Sequence, residues 1–137
     1  MIEFFMAMRP PTTTHQQKQV QVVYDHKKKK HVPVFYEDDK LKAARNKLMA
    51  HLGKYVPEEK MTGPLRVVVK WLFPRTGKRK NGEYKDTKPD LDNSNKLLQD
   101  CMENLGFYKN DAQIASLVVE KFWADKPGIY IKIEEVT

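Results

Sequence analysis

The sequence predicts an α+β fold in which two helices pack on a mixed or antiparallel β-sheet. Several short segments alternate apolar and polar residues or are rich in β-branched residues, and two longer segments carry apolar residues at three- and four-residue spacing. These segments follow one another in the order β-ββ-α-β-α-β-β, and a sheet covered by both helices would bury both apolar stripes. With 137 residues, 40% of them apolar or aromatic, the chain is predicted to form one domain, 1–137, with a real core.

The first strands are predicted near the N-terminus. Met1 to Met8 is mostly apolar and is followed by two prolines, so it reads as a short strand. Residues 19–24 and 32–36 are the expected arms of a β-hairpin, and the first arm begins with the alternation of a half-buried strand. The charged stretch Asp25 to His31, with four consecutive lysines, forms the turn between them.

Two amphipathic helices are predicted. The first runs from Asp38 to about Leu52, with acidic residues at its start, where negative charge is favourable, and Gly53 at its end. The second runs from about Asn93 to Leu105 and has Gly106 as its C-terminal cap.

Three further strands and one loop complete the chain. Residues 65–73 form a strong strand rich in β-branched and aromatic side chains, and strands are also predicted at 114–123 and 129–134. Residues 74–88 contain glycine, proline and many cations without apolar periodicity, which predicts an exposed loop.

The charge balance favours a nucleic-acid partner. The formal net charge is +7, the pI is near 9.4, and the lysines are clustered. The single cysteine, Cys101, excludes an internal disulfide, and no apolar stretch is long enough for a membrane span or resembles a signal peptide. We therefore expect a cytoplasmic protein that is neither exported nor inserted.

The most informative motif is an acidic pair just before the second helix. Asp90 and Asp92 follow Pro89, and proline disfavours helix for the residue before it, so the chain is expected to enter this segment extended. Side chains two apart in an extended backbone point the same way, and two neighbouring carboxylates repel unless a cation compensates them. Magnesium prefers such carboxylate oxygens. Helix capping would explain Asp92 equally well but leaves Asp90 without a role.

Two further residues complete the candidate catalytic set. Lys96 falls about one turn into the helix, where it could hold a phosphate, although taken alone it is better explained as an ordinary exposed helix lysine. Asp111 follows the helix in a tight connection, where Asn-Asp often serves only as turn chemistry. If the next strand lies beside Asp90, Asp111 completes a three-carboxylate cluster suited to metal-assisted phosphodiester hydrolysis.

This ordered combination resembles the signature of the RusA-type Holliday junction resolvases. The resemblance covers about 25 residues and rests on Asp90-Leu91-Asp92-Asn93, Lys96, Leu105-Gly106-Phe107 and Asp111-Ala112-Gln113, together with an early Arg9-Pro10-Pro11-Thr12.

The resemblance implies a small homodimeric endonuclease, often carried by phages and prophages, that depends on Mg²⁺ (or Mn²⁺) and nicks two opposing strands of a four-way DNA junction. It implies that Asp90, Asp92 and Asp111 are the essential acids and metal ligands, and that Lys96 is the essential lysine. Asn110 stands where some members carry a second acid, so a fourth carboxylate ligand is not expected.

Two basic segments are expected to bind DNA phosphates. One is the hairpin turn, and the other is the loop that leads directly into Asp90. Cations in that loop could bind the DNA phosphates on either side of a cleavage site. The residues assigned to this role are Lys27, Lys28, Lys29, Lys30, Arg75, Lys78, Arg79, Lys80, Lys85 and Lys88.

Two other functions remain open at this point. The chain could be a DNA-binding module without chemistry, in which the acids only cap and turn. It could also be a nuclease for another branched or single-stranded nucleic acid. The three acids and the lysine at family-like spacing favour the junction-cleaving enzyme.

Overall fold

The computed structural model describes residues 1–13 and 18–137 and has the predicted order of elements. The strands are β1 (Ile2–Ala7), β2 (Lys18–Asp25), β3 (Lys30–Glu37), β4 (Leu65–Pro74), β5 (Ile114–Ala124) and β6 (Gly128–Glu135), and the helices are α1 (Asp39–Leu52) and α2 (Leu91–Leu105). Short 3₁₀ turns lie at Gly53–Tyr55 and Asp111–Gln113.

Four of the strands form one mixed sheet in the order β1-β6-β4-β5. β6 pairs antiparallel with both β1 and β4, whereas β4 and β5 run parallel. A parallel pair needs a long crossover, and the segment between β4 and β5 supplies it, with α2 as its helix. The mixed sheet and its two helices confirm the predicted α+β class.

One apolar core joins the sheet to both helices. Alternate residues of β4 and β6 are buried, as the period of two requires, and they meet the buried stripes of α1 and α2. The largest buried side chains include Trp71 on β4, Leu48 on α1 and Leu98 on α2. No helix in the described ranges is long and apolar enough to cross a membrane.

Helix α2 begins two residues earlier than expected. Asp90 has extended backbone angles (φ −66°, ψ 131°) and occupies the N-cap position, so Asp92 already lies in the first helical turn. The expectation that Asp90 and Asp92 share an extended segment was therefore wrong, because Asp92 is part of the helix. Gly106 ends α2 in the left-handed conformation (φ 95°), as predicted.

The predicted hairpin is present, but its first arm is more exposed than expected. β2 and β3 pair antiparallel with each other and form a separate two-stranded sheet. On β2, Val22 is 65% exposed and Tyr24 is 46% exposed, although the alternation predicted a half-buried strand. The reason is that, within the described residues, the larger sheet does not include this hairpin and so leaves these side chains uncovered.

Candidate active site

The N-terminus of α2 presents two exposed carboxylates. Asp90 makes no capping hydrogen bond with its side chain, although its carbonyl accepts the first helical bond from Ser94 N at 3.1 Å. Asp92 is exposed in the first turn, where the helix dipole favours a negative charge. The Asp90 side chain therefore does not cap the helix, whereas the helix dipole accounts for Asp92 even without a ligand.

Lys121 on β5 anchors the chain that leads into Asp90. Its ammonium group donates to the carbonyl of Thr87 at 2.5 Å and to the carbonyl of Pro89 at 2.7 Å. Both carbonyls lie within three residues of Asp90, so the sheet holds the backbone directly before the acid. Lys121 thus contacts the segment before Asp90, and the sequence did not reveal this contact.

Lys96 joins two carboxylates from different parts of the chain. Its Nζ lies 2.7 Å from Asp111 Oδ2 and 3.1 Å from Asp100 Oδ1. The bond to Asp111 and then the bond to Asp100 raise the pKa of Lys96 above its ordinary value. These contacts favour the protonated form of Lys96, so it can supply positive charge near neutral pH.

Asp111 is held in place by a small network of its own. Asn110 caps the 3₁₀ turn by accepting from Ala112 N at 2.8 Å, and Gln113 completes a capping box. The backbone N–H of Asp111 donates to Glu103 Oε1 of α2 at 2.7 Å. These bonds fix the start of β5 against α2 and aim the Asp111 carboxylate at Lys96. Asn110 thus has a structural role in this chain.

A groove of about 470 Å³ lies between α2 and β5. It contains both Asp92 and Lys96, and its apolar wall includes Leu117, which is 47% exposed. Leu91, Asn95, Gln99 and Val119 line the rest of the groove. Two of the sequence-predicted catalytic residues therefore share one concave surface.

The expected three-carboxylate cluster is not assembled in this conformation. Among the side chains that the structure describes, no three acidic, histidine or cysteine groups come together at metal-binding spacing. One physical reason is visible, since Asp111 has Lys96 as its counterion. The donors nevertheless suit a hard cation, because Asp90 and Asp92 carry exposed carboxylates at one end of the groove-forming helix.

Sequence reasoning missed Asp100 and Glu103. A usable signal existed for Asp100, because Asp92, Lys96 and Asp100 repeat at a spacing of four residues and so lie along one face of the helix. The Glu103 carboxylate accepts a hydrogen bond from the backbone N–H of Asp111, eight residues away, and a sequence pattern does not reveal such a contact.

The basic loop contains both paired and exposed cations. Arg75 forms an ion pair with Asp125 at 2.7 Å, and Arg79 pairs with Glu83 at 3.3 Å. These contacts shape the loop and leave less of each guanidinium group for a phosphate. Lys78, Lys80 and Lys88 are exposed.

In the basic loop, the exposure of Lys85 differs most from the prediction, because this lysine is buried. It is 8% exposed, and its ammonium lies 4.2 Å from the centre of the Trp123 ring and donates to Thr87 Oγ1 at 2.5 Å. The negative face of the Trp123 ring attracts the ammonium through a cation–π contact, although burial of the charge is itself unfavourable. By contrast, the hairpin lysines, Lys27, Lys28, Lys29 and Lys30, are all exposed around the turn.

The fold and the groove together indicate the class of this protein. An α+β domain places acids and a protonated lysine along one face of a helix that follows a basic loop, and acids with cationic groups are the components of phosphodiester hydrolysis. The sequence matches the family Endodeoxyribonuclease RusA over residues 9–134. The chain therefore belongs to the RusA endodeoxyribonuclease family, as the resemblance implied.

Two relatives support this assignment. The chain is 35% identical over 136 residues to the crossover junction endodeoxyribonuclease rusA of Lactococcus phage r1t, and the match covers 98% of each protein. It is also 34% identical over 96 residues to the uncharacterised protein YqaN of Bacillus subtilis (strain 168), which covers 62% of this chain and 67% of YqaN.

Proposed function

We propose that the protein is a metal-dependent endonuclease that resolves four-way DNA junctions. The observation that carries the proposal is the end-to-end similarity to the phage crossover junction endodeoxyribonuclease, combined with Asp90, Asp92, Lys96 and Asp111 at the family's spacing. The groove between α2 and β5 contains two of these residues and gives the DNA backbone a place to approach them.

Lys96 would act through its charge. Two carboxylates keep its ammonium group protonated, and 47% of its side chain is exposed, so a phosphate oxygen can reach it. Positive charge placed where negative charge develops stabilises the transition state of phosphodiester cleavage. Asp100 and Asp111 would position this ammonium group, and Asp100 would keep that role when Asp111 binds a metal.

Asp90, Asp92 and Asp111 would hold Mg²⁺, for which Mn²⁺ could substitute. When bound, the metal would neutralise the phosphate and lower the pKa of a water molecule. Binding by all three requires Asp111 to exchange Lys96 for the cation. That exchange would leave Lys96 with Asp100 and make its ammonium more available to DNA.

A symmetric homodimer would suit this substrate. A four-way junction has two-fold symmetry, and two identical subunits would bring one active site to each of two opposing strands. Paired nicks would then resolve the junction during DNA recombination and repair. The Lactococcus phage relative is consistent with a phage or prophage origin and with action in the bacterial cytoplasm.

The direct test compares the wild-type protein with Asp90→Asn on a labelled four-way junction, with and without Mg²⁺. We expect the wild-type protein to cut with the metal only, and Asp90→Asn to bind the junction but to lose cleavage by at least about a hundredfold. Asp39→Asn is the matched control, because Asp39 is an exposed acid in the first turn of α1 and lies at a comparable helical position.

Three outcomes would contradict the proposal. Cleavage by Asp90→Asn at the wild-type rate would remove Asp90 from the mechanism. Preferred cutting of a flap, linear duplex, single strand or RNA would indicate another nuclease. Junction binding without cleavage in either Mg²⁺ or Mn²⁺ would indicate a non-catalytic DNA-binding module.

A further inference from the structure

A second concave site lies beside the basic loop, on residues that the catalytic groove does not use. It is a pocket of about 230 Å³, and its lining includes Arg9, Thr12, Phe73, Lys85, Lys88 and Trp123. Three of these residues are cations, and none of the described residues that line the pocket is acidic. The pocket brings Arg9, from the segment after β1, next to Lys85 and Lys88, which are more than 70 residues away in the sequence.

Among the described residues, no carboxylate forms an ion pair with the buried Lys85, and Asp86 attracts it only through space. Its ammonium has Thr87 Oγ1 as its hydrogen-bond acceptor and otherwise faces the rings of Trp123 and Phe73, at 4.2 and 5.4 Å. Burial, followed by repulsion from Lys121 and Arg79, lowers its pKa. Burying a charge costs free energy unless an opposite charge compensates it, so an anion in the pocket would offset the cost of burying the Lys85 ammonium.

We propose that this pocket binds one backbone phosphate of the DNA, through Arg9, Lys85 and Lys88. The proposal rests on the proposed function, because it takes DNA as the substrate. It identifies a phosphate site separate from the catalytic groove and adds Arg9 to the DNA-contacting residues.

The pocket suits a phosphate better than an unstacked base. Three of the lining residues are cations, and a phosphate carries the negative charge that complements them, whereas a base is neutral. The aromatic faces that could stack on a base are also near cations, since Trp123 lies beneath Lys85 and has the Arg79 guanidinium carbon 5.7 Å from its ring centre.

A phosphate in the pocket would be coupled to the catalytic acids through Thr87. Lys85 bonds the side chain of Thr87, while Lys121 bonds its carbonyl and that of Pro89, the residue before Asp90. An anion that neutralises Lys85 also reduces its repulsion with Lys121. Occupancy of the pocket would thus stabilise the backbone that presents Asp90.

The test is the salt dependence of junction binding, measured in metal-free buffer so that no cutting occurs. Each phosphate that a protein neutralises contributes about 0.9 to the slope of log affinity against log salt concentration. We expect Arg9→Gln to reduce the magnitude of this slope by up to about 0.9, and to weaken binding about 3- to 10-fold near 50 mM salt. Lys40→Gln removes an exposed charge at the start of α1 and serves as the control.

A second variant, Lys85→Met, removes the charge but keeps a long apolar side chain over Trp123. It should reduce the slope as Arg9→Gln does, with an unfolding temperature no lower than that of the wild type. If the slope of Arg9→Gln falls no more than that of Lys40→Gln, the proposal is wrong. A change in base preference at constant slope would also overturn it, in favour of a base-binding pocket. Loss of the proposed function is a separate result, because it concerns cleavage by the wild-type protein with metal.

Discussion

Lys121→Gln tests whether β5 positions the segment before Asp90, the proposed catalytic acid. Lys121 donates hydrogen bonds to the carbonyls of Thr87 and Pro89. The bond to Thr87 is exposed to solvent, and the bond to Pro89 is partly buried. A charged hydrogen bond that is partly buried contributes about 1.5 kcal/mol and an exposed one about 0.5 kcal/mol, which gives about 2 kcal/mol in total. Relief of the repulsion between Lys121 and Lys85 offsets part of this loss.

Urea unfolding should therefore show a loss of about 2 kcal/mol or slightly less, equivalent to about 8 °C in unfolding temperature for a domain of this size. We expect junction cleavage to fall further, by about ten- to a hundredfold, because a misplaced catalytic group is costly even when the protein stays folded. Lys126→Gln, in the exposed β5–β6 turn, is the matched control and should change neither quantity. Cleavage by Lys121→Gln at the wild-type rate, in protein shown to be folded, would refute the positioning role.

Three shorter predictions concern the pKa of Lys96, the core and a helix end. The pKa of Lys96 is raised above its ordinary value of 10.5, so its ion pairs should stabilise the fold fully below about pH 10. This stabilisation should be lost as the pH rises through the folded-state pKa of Lys96. When unfolding is measured as a function of pH, Lys96→Met should abolish this alkaline loss of stability. Leu98→Ala should lower the free energy of unfolding by about 2 to 5 kcal/mol, because Leu98 is fully buried, and a change under about 1 kcal/mol would contradict the packing. Gly106→Ala should cost about 1 to 2 kcal/mol in the same assay, since φ at Gly106 is +95° and its nearest neighbour, the Lys60 side chain at 3.6 Å, adds no clash.

The order of the elements was predictable because each element carries a local signal. Alternation marked β6, and the three- and four-residue spacing marked α1 and α2. The start of α2 was less predictable, because Asp90 and Asp92 are both compatible with a helix N-terminus. The helix began at Leu91, where it gains two more residues of hydrogen-bonded backbone and partly buries Leu91 against the core.

The site was only partly predictable from the same signals. Asp90, Asp92 and Lys96 are close in the sequence, so their placement at the first turns of one helix follows from covalent spacing. The pairing of Lys96 with Asp111 was not foreseen, because it depends on how the turn before β5 packs against α2. The assignment of the three acids to a metal stays a prediction.

By itself, the sequence determined the fold class and the family, because periodicity and motif spacing are properties of short segments. The residues that it assigns to the chemistry stay a prediction. Only the tertiary structure decided that Lys121 holds the chain before Asp90, that Lys85 is buried over Trp123, and that Arg9 joins the same pocket. These contacts link segments that are more than 30 residues apart in the sequence. Their formation depends on the packing of the sheet, the loop and the N-terminal segment together, and no local pattern contains that information.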